Sequence, residues 1–343
     1  MKITKKTVLV AIMFVCLVAS VFANGTNESG AKKLTLKATT SQGEQNVSAE
    51  MDYLKHLKSE LEKRTNGEVC VDIYPNEQLG GQNEMAQGIQ AGTIDIAVFN
   101  YSILNSFYPE TMLPTCPGVF LNAEEADKIL NGSYGQELHK RLEEATGIKI
   151  LSTITQGFRC FTSSKPLSTI ESAKGQTFRC MQNELSVAMV GAIGANAVPM
   201  ASSEMYTAMQ NGTVDGQENP VINIINDKTY EVQKYLTLDN HMASISAFTI
   251  SKKTFDKLTG EQQQILLDIV KECNPIAEKV FAQINTEGIK TLENYGMTVY
   301  QPTEAELIAW QTPISKACDK LVRQKCGDAA VDALQKAVAA DRK

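Results

Sequence analysis

Two arginines stand in the same tripeptide, Phe-Arg-Cys, at separate places in the chain. Arg159 and Arg179 each lie in an otherwise apolar run that predicts a β-strand, with a glycine shortly before it. A guanidinium group presents a planar fork of donors that matches a carboxylate, and such a bond contributes on the order of 1.5–3 kcal/mol. These residues therefore suit recognition of an organic acid. A strand arginine more often faces solvent or makes a structural ion pair, and the spacing alone leaves both interpretations open.

Asp215 and Glu218 are a second candidate pair, because two nearby carboxylates can act as the acid and base of a glycosidase. They lie, however, in a helix-to-strand connector that occurs twice in the chain. We therefore expect no catalytic residue, and an exported enzyme that uses these carboxylates remains the alternative. The chain contains no His-Glu-x-x-His, Cys-x-x-Cys or Gly-x-Ser-x-Gly motif and no phosphate-binding glycine loop. We expect neither a metal nor a cofactor, since the histidines are isolated from one another.

The repeated connector organises the chain. Residues 84–95 and 204–215 carry Glu, Met, Gln, Gly, Thr and Asp in the same order. Each copy predicts a helix that ends at a glycine and leads into a short strand. Ligands of open α/β sheets bind at the carboxyl ends of strands. The repeat therefore predicts two similar lobes with a small molecule between them, although a chance match of a common connector is the competing interpretation.

Length and composition limit the function classes. The chain has 343 residues, is 43% hydrophobic and carries a net charge of −6, so about two domains are possible and nucleic acid is not an expected partner. Seven cysteines follow residue 23. An odd number in a long chain does not indicate a disulfide scaffold. Free, buried thiols are expected for most of them, and Cys160–Cys180 is the pairing to test first.

The N-terminus has the pattern of a secretory signal. Lysines at positions 2, 5 and 6 precede an apolar run over 8–21, and Val-Phe-Ala at 21–23 suits cleavage. The apolar run is shorter than the roughly 20 residues that span a membrane. We therefore assign 1–23 to a signal peptide and 24–33 to a flexible segment, and we expect an extracytoplasmic, periplasmic protein. Lipid attachment at Cys16 is disfavoured because bulky residues precede it.

The remaining chain is divided by its predicted elements. Residues 34–155 are expected to form mainly the first lobe and 156–240 mainly the second. Residues 241–343 supply crossing strands, a long helix over 260–295 and C-terminal helices that pack on both lobes. Pro275 is expected to kink or break the long helix. No Pro/Gly-rich linker separates the lobes, which is typical of a hinged protein.

Several motifs together resemble one family, the extracytoplasmic solute receptors of TRAP transporters of the dicarboxylate-receptor type. The motifs are Gly157-x-Arg159, Lys174-Gly175-x-x-x-Arg179, Asp215-Gly216-Gln217-Glu218-Asn219-Pro220, Tyr74-Pro75-x-x-Gln78-Leu79-Gly80 and Tyr230-Glu231-Val232-Gln233-Lys234. The resemblance covers nearly all of the chain after the signal. It implies an α/β, two-lobed periplasmic-binding-protein (Venus-flytrap) fold. Each lobe would be a mixed sheet flanked by helices, and a long helix would span both.

The resemblance also implies a monomeric receptor that closes around a small organic carboxylate and passes it to the TRAP membrane subunits. Arg179 would make the main salt bridge, with further contacts from Arg159 and Asn219. Asn100 stands where sialic-acid-type members carry a glutamate, which weakens a sialic-acid assignment. Other expected lining residues are Gln42, Gln182, Ser202, Phe99 and Phe158, the last two giving a more apolar pocket. A protein that acts only by contacting other proteins is a third hypothesis.

Overall fold

The structure is a computed structural model that describes residues 33–44 and 48–342. The predicted signal peptide lies outside this range. The strands are β1 (Leu34–Thr40), β2 (Val69–Tyr74), β3 (Ile96–Asn100), β4 (Ile148–Ser163), β5 (Thr177–Cys180), β6 (Asn196–Pro199), β7 (Gly216–Pro220), β8 (Tyr235–Ser251) and β9 (Thr298–Tyr300). The α-helices are α1 (Ala49–Arg64), α2 (Gln82–Ala91), α3 (Ala123–Asn131), α4 (Ser133–Thr146), α5 (Ile170–Ala173), α6 (Glu184–Ala192), α7 (Ser202–Gln210), α8 (Val221–Asn226), α9 (Lys252–Phe255), α10 (Gly260–Asn294), α11 (Glu304–Cys326) and α12 (Asp328–Asp341). Short 3-10 helices occupy Tyr101–Ser106, Pro109–Met112 and Thr229–Glu231.

In the described part of the chain, nine strands form one continuous mixed sheet in the order β2-β1-β3-β8-β4-β7-β5-β6, with β9 added to β8. The two long strands β4 and β8, of 16 and 17 residues, pair antiparallel at the centre. Strands β1–β3 extend the sheet on one side, and β5–β7 extend it on the other. The predicted mixed α/β class is confirmed. The two halves share β4 and β8, however, instead of having separate sheets.

Strand β4 runs from Ile148 to Ser163 without a break at the expected lobe boundary, residue 155. The pairing of β4 with β8 instead shifts register between Thr155 and Gly157 and again between Arg159 and Phe161. Gly157 has a φ of +137°, a conformation that favours glycine. A β-bulge bends a strand without ending it, so the chain crosses between the halves through bulges.

Helix α10 is the predicted long helix and has 35 residues. It begins with a capping box between Thr259 and Gln262, the arrangement that satisfies free amides at a helix start. It packs against α1, β4, α8 and β9, and so contacts both halves of the sheet. The helix continues through Pro275. The expected break is therefore absent. Packing against both halves of the sheet supports the helix although proline lacks a backbone N–H to donate.

Both copies of the repeated connector adopt the same structure. Gly92 ends α2 with a φ of +78°, and Gly212 follows α7 with a φ of +70°. The aspartate of each copy then accepts a hydrogen bond from a backbone amide of a neighbouring strand. Asp95 accepts from the amide of Lys37 at 2.8 Å, and Asp215 accepts from the amide of Thr177 at 2.9 Å. The repeat is therefore a structural unit that ties a helix–strand connection to the next strand.

The cysteines of the described residues are all free thiols, and four of the seven are buried. Cys160 on β4 and Cys180 on β5 are separated by β7 in the sheet. Neighbouring strands lie about 4.8 Å apart, so two strand spacings exceed the roughly 7 Å limit between the Cα atoms of a disulfide. The strand spacing thus explains why the disulfide considered between Cys160 and Cys180 is absent. No helix in the described ranges is long and apolar enough to cross a membrane.

Candidate functional site

A polar cavity of about 310 Å³ lies between the two halves of the sheet. One wall comes from the segments around β1–β3, the other comes from β5, β7, α7 and α8, and β4 supplies residues between them. The volume lies at the small end of the range for ligand sites. Six of the expected site residues line this cavity: Gln42, Asn100, Arg159, Arg179, Ser202 and Asn219.

Three expected site residues lie elsewhere. Phe99 is buried in the hydrophobic core, and Phe158 packs against the same core. Side chains alternate between the faces of a strand, so the neighbouring Asn100 and Arg159 reach the cavity while these phenylalanines point to the opposite face. Gln182 is exposed, and its side-chain oxygen accepts a hydrogen bond from Asn83 at 3.2 Å. The cavity is therefore more polar than expected.

Arg159 is 1% exposed and makes a bidentate ion pair with Glu218 on the neighbouring strand β7. Its Nη2 donates to Glu218 Oε1 at 3.0 Å and to the Glu218 carbonyl oxygen at 2.6 Å, while Nε donates to Oε2. Burial raises the pKa of Glu218, but Arg159 and His241 outweigh burial and lower this pKa to about 2. Arg159 thus has the structural ion pair that the sequence left open, at the wall of the cavity.

The carboxylate of Glu218 also contacts a buried histidine, His241. His241 Nδ1 lies 2.7 Å from Asp239 Oδ2, and Nε2 lies 3.4 Å from Glu218 Oε2. Burial lowers the pKa of His241, but the two carboxylates outweigh it and raise this pKa to about 9. The protonated histidine completes a network of two cations and two anions. Sequence reasoning missed this network, because Arg159, Glu218 and the segment with Asp239 and His241 are distant from one another in the chain.

Arg179 has a different environment, although it is also only 4% exposed. Its Nε and Nη2 donate to the carbonyl oxygen of Met200 at 3.1 and 2.9 Å. Within the described residues, no carboxylate lies within ion-pair distance of this guanidinium. Burial lowers its pKa, because a buried charge without a counter-ion is unfavourable. An anion in the cavity would supply the missing partner.

A hydrogen-bond chain connects Arg159 to the first wall of the cavity. Arg159 Nη1 donates to Ser244 at 3.4 Å, and Ser244 donates to Gln156 at 2.9 Å. Gln156 then donates to the buried carboxylate of Glu50 at 3.1 Å. Asn100 also donates to Ser244, at 3.1 Å. These bonds fix the orientation of two amides that face the ligand space.

Three carboxylates also line the cavity, and sequence reasoning missed all of them. They are Glu50 in the first turn of α1, Glu77 in the turn after β2, and Asp227 after α8. Burial raises the pKa of Glu50, and it raises the pKa of Asp227 to about 7, with Arg179 opposing the rise. Glu50 lies in the first turn of a helix, where acidic residues commonly stabilise the helix start. Its sequence position therefore gave no reason to place it in the cavity.

Asp215 and Glu218 do not form a catalytic pair in the cavity. The carboxylate of Asp215 is held by the amide of Thr177 and by Lys165 at 2.6 Å. Glu218 is fully buried against Arg159 and His241. Both carboxylates are occupied by structural contacts, and neither lines the ligand space.

A larger, apolar cavity of about 550 Å³ lies between α11, α12 and the segment that contains Gly118. Its lining includes Cys116, Val322 and Leu334, and none of the expected site residues. The smaller polar cavity is the better candidate, because the two buried arginines line it.

A family model described as bacterial extracellular solute-binding protein, family 7, matches residues 41–325. The chain is 30% identical over 291 residues to the 2,3-diketo-L-gulonate-binding periplasmic protein of Escherichia coli strain K12, with 84% of this chain and 87% of that protein covered.

Solved structures are similar over the whole fold. The sugar acid binding protein of Advenella mimigardefordensis, in complex with galactonate, superposes with a TM-score of 0.85 at 27% identity and covers 90% of this chain and 99% of its own. A TRAP periplasmic solute binding protein from Desulfovibrio salexigens with bound orotic acid gives 0.84 at 29% identity, also covering 90% and 99%. These similarities confirm the predicted two-lobed α/β fold.

Proposed function

This chain belongs to family 7 of the bacterial extracellular solute-binding proteins, and we propose that it binds a small organic carboxylate through Arg179 for delivery to the membrane subunits of a TRAP transporter. The family consists of solute-binding receptors rather than enzymes. The observation that carries the proposal is the buried guanidinium of Arg179, which faces the cavity without a carboxylate partner in the described residues. A ligand carboxylate would satisfy it bidentately.

The two arginines have different tasks in this proposal. Arg179 provides the charge for the ligand, whereas Arg159 is neutralised by Glu218 and offers hydrogen bonds rather than net charge. Asn219 and Asn100 would add contacts from the two walls, and Gln42 and Ser202 would complete the enclosure. This division is supported by the contacts of each guanidinium, since only Arg159 has an acidic partner among the described residues.

Ligand binding would act by a shift between open and closed forms. Hydrogen bonds among the described residues already connect the walls, including Ser202 to Glu77 at 2.6 Å, Asn83 to Gln182 at 3.2 Å and Asn226 to Gln42 at 3.2 Å. A ligand that contacts both walls only in the closed form drives closure through its differential affinity. The bulges of β4 around Gly157 are the proposed hinge.

The lobes would follow the boundaries expected from the sequence, with 34–155 mainly in the first, 156–240 mainly in the second and 241–343 packing on both. We further propose export by a signal peptide at 1–23 and action as a periplasmic monomer. The competing idea of an exported enzyme has little support, because Asp215 and Glu218 are held in structural contacts.

A thermal-shift screen of organic acids tests the proposal, because a bound ligand raises the unfolding temperature by mass action. The panel contains aldonates, uronates, C4-dicarboxylates, 2-oxo acids and aromatic acids, each beside an uncharged analogue. At least one acid is expected to stabilise the protein, while its uncharged analogue does not. A panel in which no acid stabilises the protein, or in which uncharged analogues act equally, would overturn it.

A further inference from the structure

The charged residues that line the cavity differ in whether they already form an ion pair. Among the described lining residues, the cations are Arg159 and Arg179, and the acids are Glu50, Glu77 and Asp227. Arg159 is neutralised by Glu218 behind the wall. Arg179 is therefore the one lining cation in the described chain that lacks an ion pair. The cavity offers a place for one carboxylate.

Two of these acids, Glu77 and Asp227, can still accept hydrogen bonds from a ligand. Glu77 accepts a hydrogen bond from Ser202 through Oε1, and its buried Oε2 has no partner among the described residues. The carboxylate of Asp227 accepts no hydrogen bond from the described side chains or backbone, although it lies close enough to Arg179 and Glu77 to interact electrostatically. A buried acceptor without a donor is unfavourable, so Glu77 Oε2 suits a ligand that brings a donor. The carboxylate of Asp227, which lines the cavity, is open to a second donor.

The oxygens of Glu50 are by contrast already occupied. They accept hydrogen bonds from Gln156 at 3.1 Å, from Ser246 at 2.9 Å and from Thr40. Glu50 is therefore closed to a ligand donor. On the same wall, Glu77 would disfavour a second anionic group.

We propose that these acids make the site selective for a monocarboxylate whose remainder carries hydroxyl groups, and that Asp227 is the residue that discriminates most against a second carboxylate. This inference rests on the proposed function and adds the class of acid. Arg179 would hold the single carboxylate, and Asp227 and Glu77 would accept hydrogen bonds from hydroxyls. A dicarboxylate would place its second charge against acids with no further cation to receive it.

The rest of the lining supports hydroxylated ligands. Amide side chains are frequent, including those of Gln42, Asn76 and Asn223. An amide both donates and accepts, as a hydroxyl does, so amides and hydroxyls satisfy each other fully. Tyr206 is the only aromatic side chain among the described lining residues. The cavity thus offers little surface for an aromatic or purely apolar acid.

The protonation of Asp227 sets the conditions of the test. Burial raises its pKa to about 7. The group is mostly ionised at about pH 8, where a second ligand carboxylate is repelled most strongly. Below the pKa, a protonated Asp227 could donate a hydrogen bond to such a carboxylate. Affinities are therefore compared at the higher pH.

The test uses isothermal titration with two matched pairs, galactonate against galactarate and erythronate against meso-tartrate, with succinate as a bare dicarboxylate. Within each pair the molecules differ in one terminal group, a hydroxymethyl or a carboxylate. The wild-type protein is expected to bind the monocarboxylate at least about tenfold more tightly. In Asp227→Asn this ratio is expected to fall about fivefold or more, mainly through tighter binding of the dicarboxylate. Asp332→Asn, an exposed change in α12, is the matched control and keeps the wild-type ratio.

The proposal is overturned if the dicarboxylate of a pair binds as tightly as the monocarboxylate, or if Asp227→Asn leaves the ratio unchanged while circular dichroism shows a folded protein. Where the thermal-shift screen identifies another acid, that acid and its analogue with one carboxylate more or fewer form the pair. Failure of the proposed function gives a different result, since then no acid binds at all. The Glu77→Gln variant gives a second readout and is expected to weaken the hydroxylated monocarboxylate.

Discussion

Arg159 and Glu218 form a buried bidentate ion pair between the adjacent strands β4 and β7, and the protonated His241 contacts the same carboxylate. Arg179 lacks such a partner in the described residues. The protein thus contains one arginine whose charge is used for structure and one whose charge is available to a ligand. Our predictions separate these two roles.

Glu218→Gln should destabilise the protein strongly. The change leaves Arg159 as a buried guanidinium without its counter-charge, and breaking a buried pair in this way costs about 3–5 kcal/mol. Urea denaturation measures the loss of unfolding free energy. Glu293→Gln, an exposed change on α10, is the control and should stay within about 0.5 kcal/mol of wild type. Equal stability of the two variants would show that the ion pair is unimportant.

Arg179→Ala should weaken binding of the acid found in the screen by about tenfold or more, because a charge-assisted bond is lost. Arg179→Lys should give an intermediate affinity, since an ammonium group cannot form the bidentate contact. Isothermal titration measures both dissociation constants. Arg323→Ala, which removes a partly exposed arginine of α11, should leave the affinity unchanged. An Arg179→Ala protein that binds as well as wild type would remove this residue from the site.

His241 should make the protein less stable at alkaline pH. Its folded pKa of about 9 lies above the unfolded value of 6.5. The stabilisation is therefore complete below the unfolded pKa and is lost as pH rises through the folded value. His241→Asn should have a flatter stability profile between these two values than wild type. His139→Gln is the control, because burial lowers the pKa of His139 to about 4 and the residue is neutral across this window. A wild-type profile in His241→Asn would contradict the network.

Gly157→Ala should destabilise the protein and alter closure. A Cβ at this position would lie 2.6 Å from Asn285 Oδ1, and the φ of +137° is unfavourable for alanine. Such strain costs about 1–3 kcal/mol. Gly191→Ala on α6 is the matched control, because nothing lies within 4 Å of its added Cβ. Thermal unfolding measures stability, and small-angle scattering with and without ligand measures closure. Identical behaviour of both variants would exclude Gly157 as a hinge.

Asp215→Asn should lower stability without changing ligand affinity. Its carboxylate holds the amide of Thr177 and the ammonium of Lys165, so we expect a loss of about 1–2 kcal/mol. Asp95→Asn removes the equivalent contact to Lys37 in the other copy and should have a similar effect. A loss of turnover of any substrate in Asp215→Asn would instead favour an enzyme.

The repeated connector and the two strand arginines were accessible from the sequence because they depend on local patterns. Gly92 and Gly212 mark helix ends, and strand alternation around Arg159 could also have placed Phe158 on the opposite face. The acids of the cavity were not accessible in the same way. Glu77 and Asp227 reach the cavity only because separate turns come together in space. The contact of His241 with Glu218 is likewise determined by tertiary structure.

The unbroken strands β4 and β8 have a consequence for how this protein moves. Two rigid bodies on a free linker could swing, slide and twist independently, but a paired ribbon that runs through both bodies can only flex at its bulges. In the proposed receptor, opening is therefore expected to follow the bending of this ribbon, and one pair of distance labels, one on each side of the ribbon, would report it.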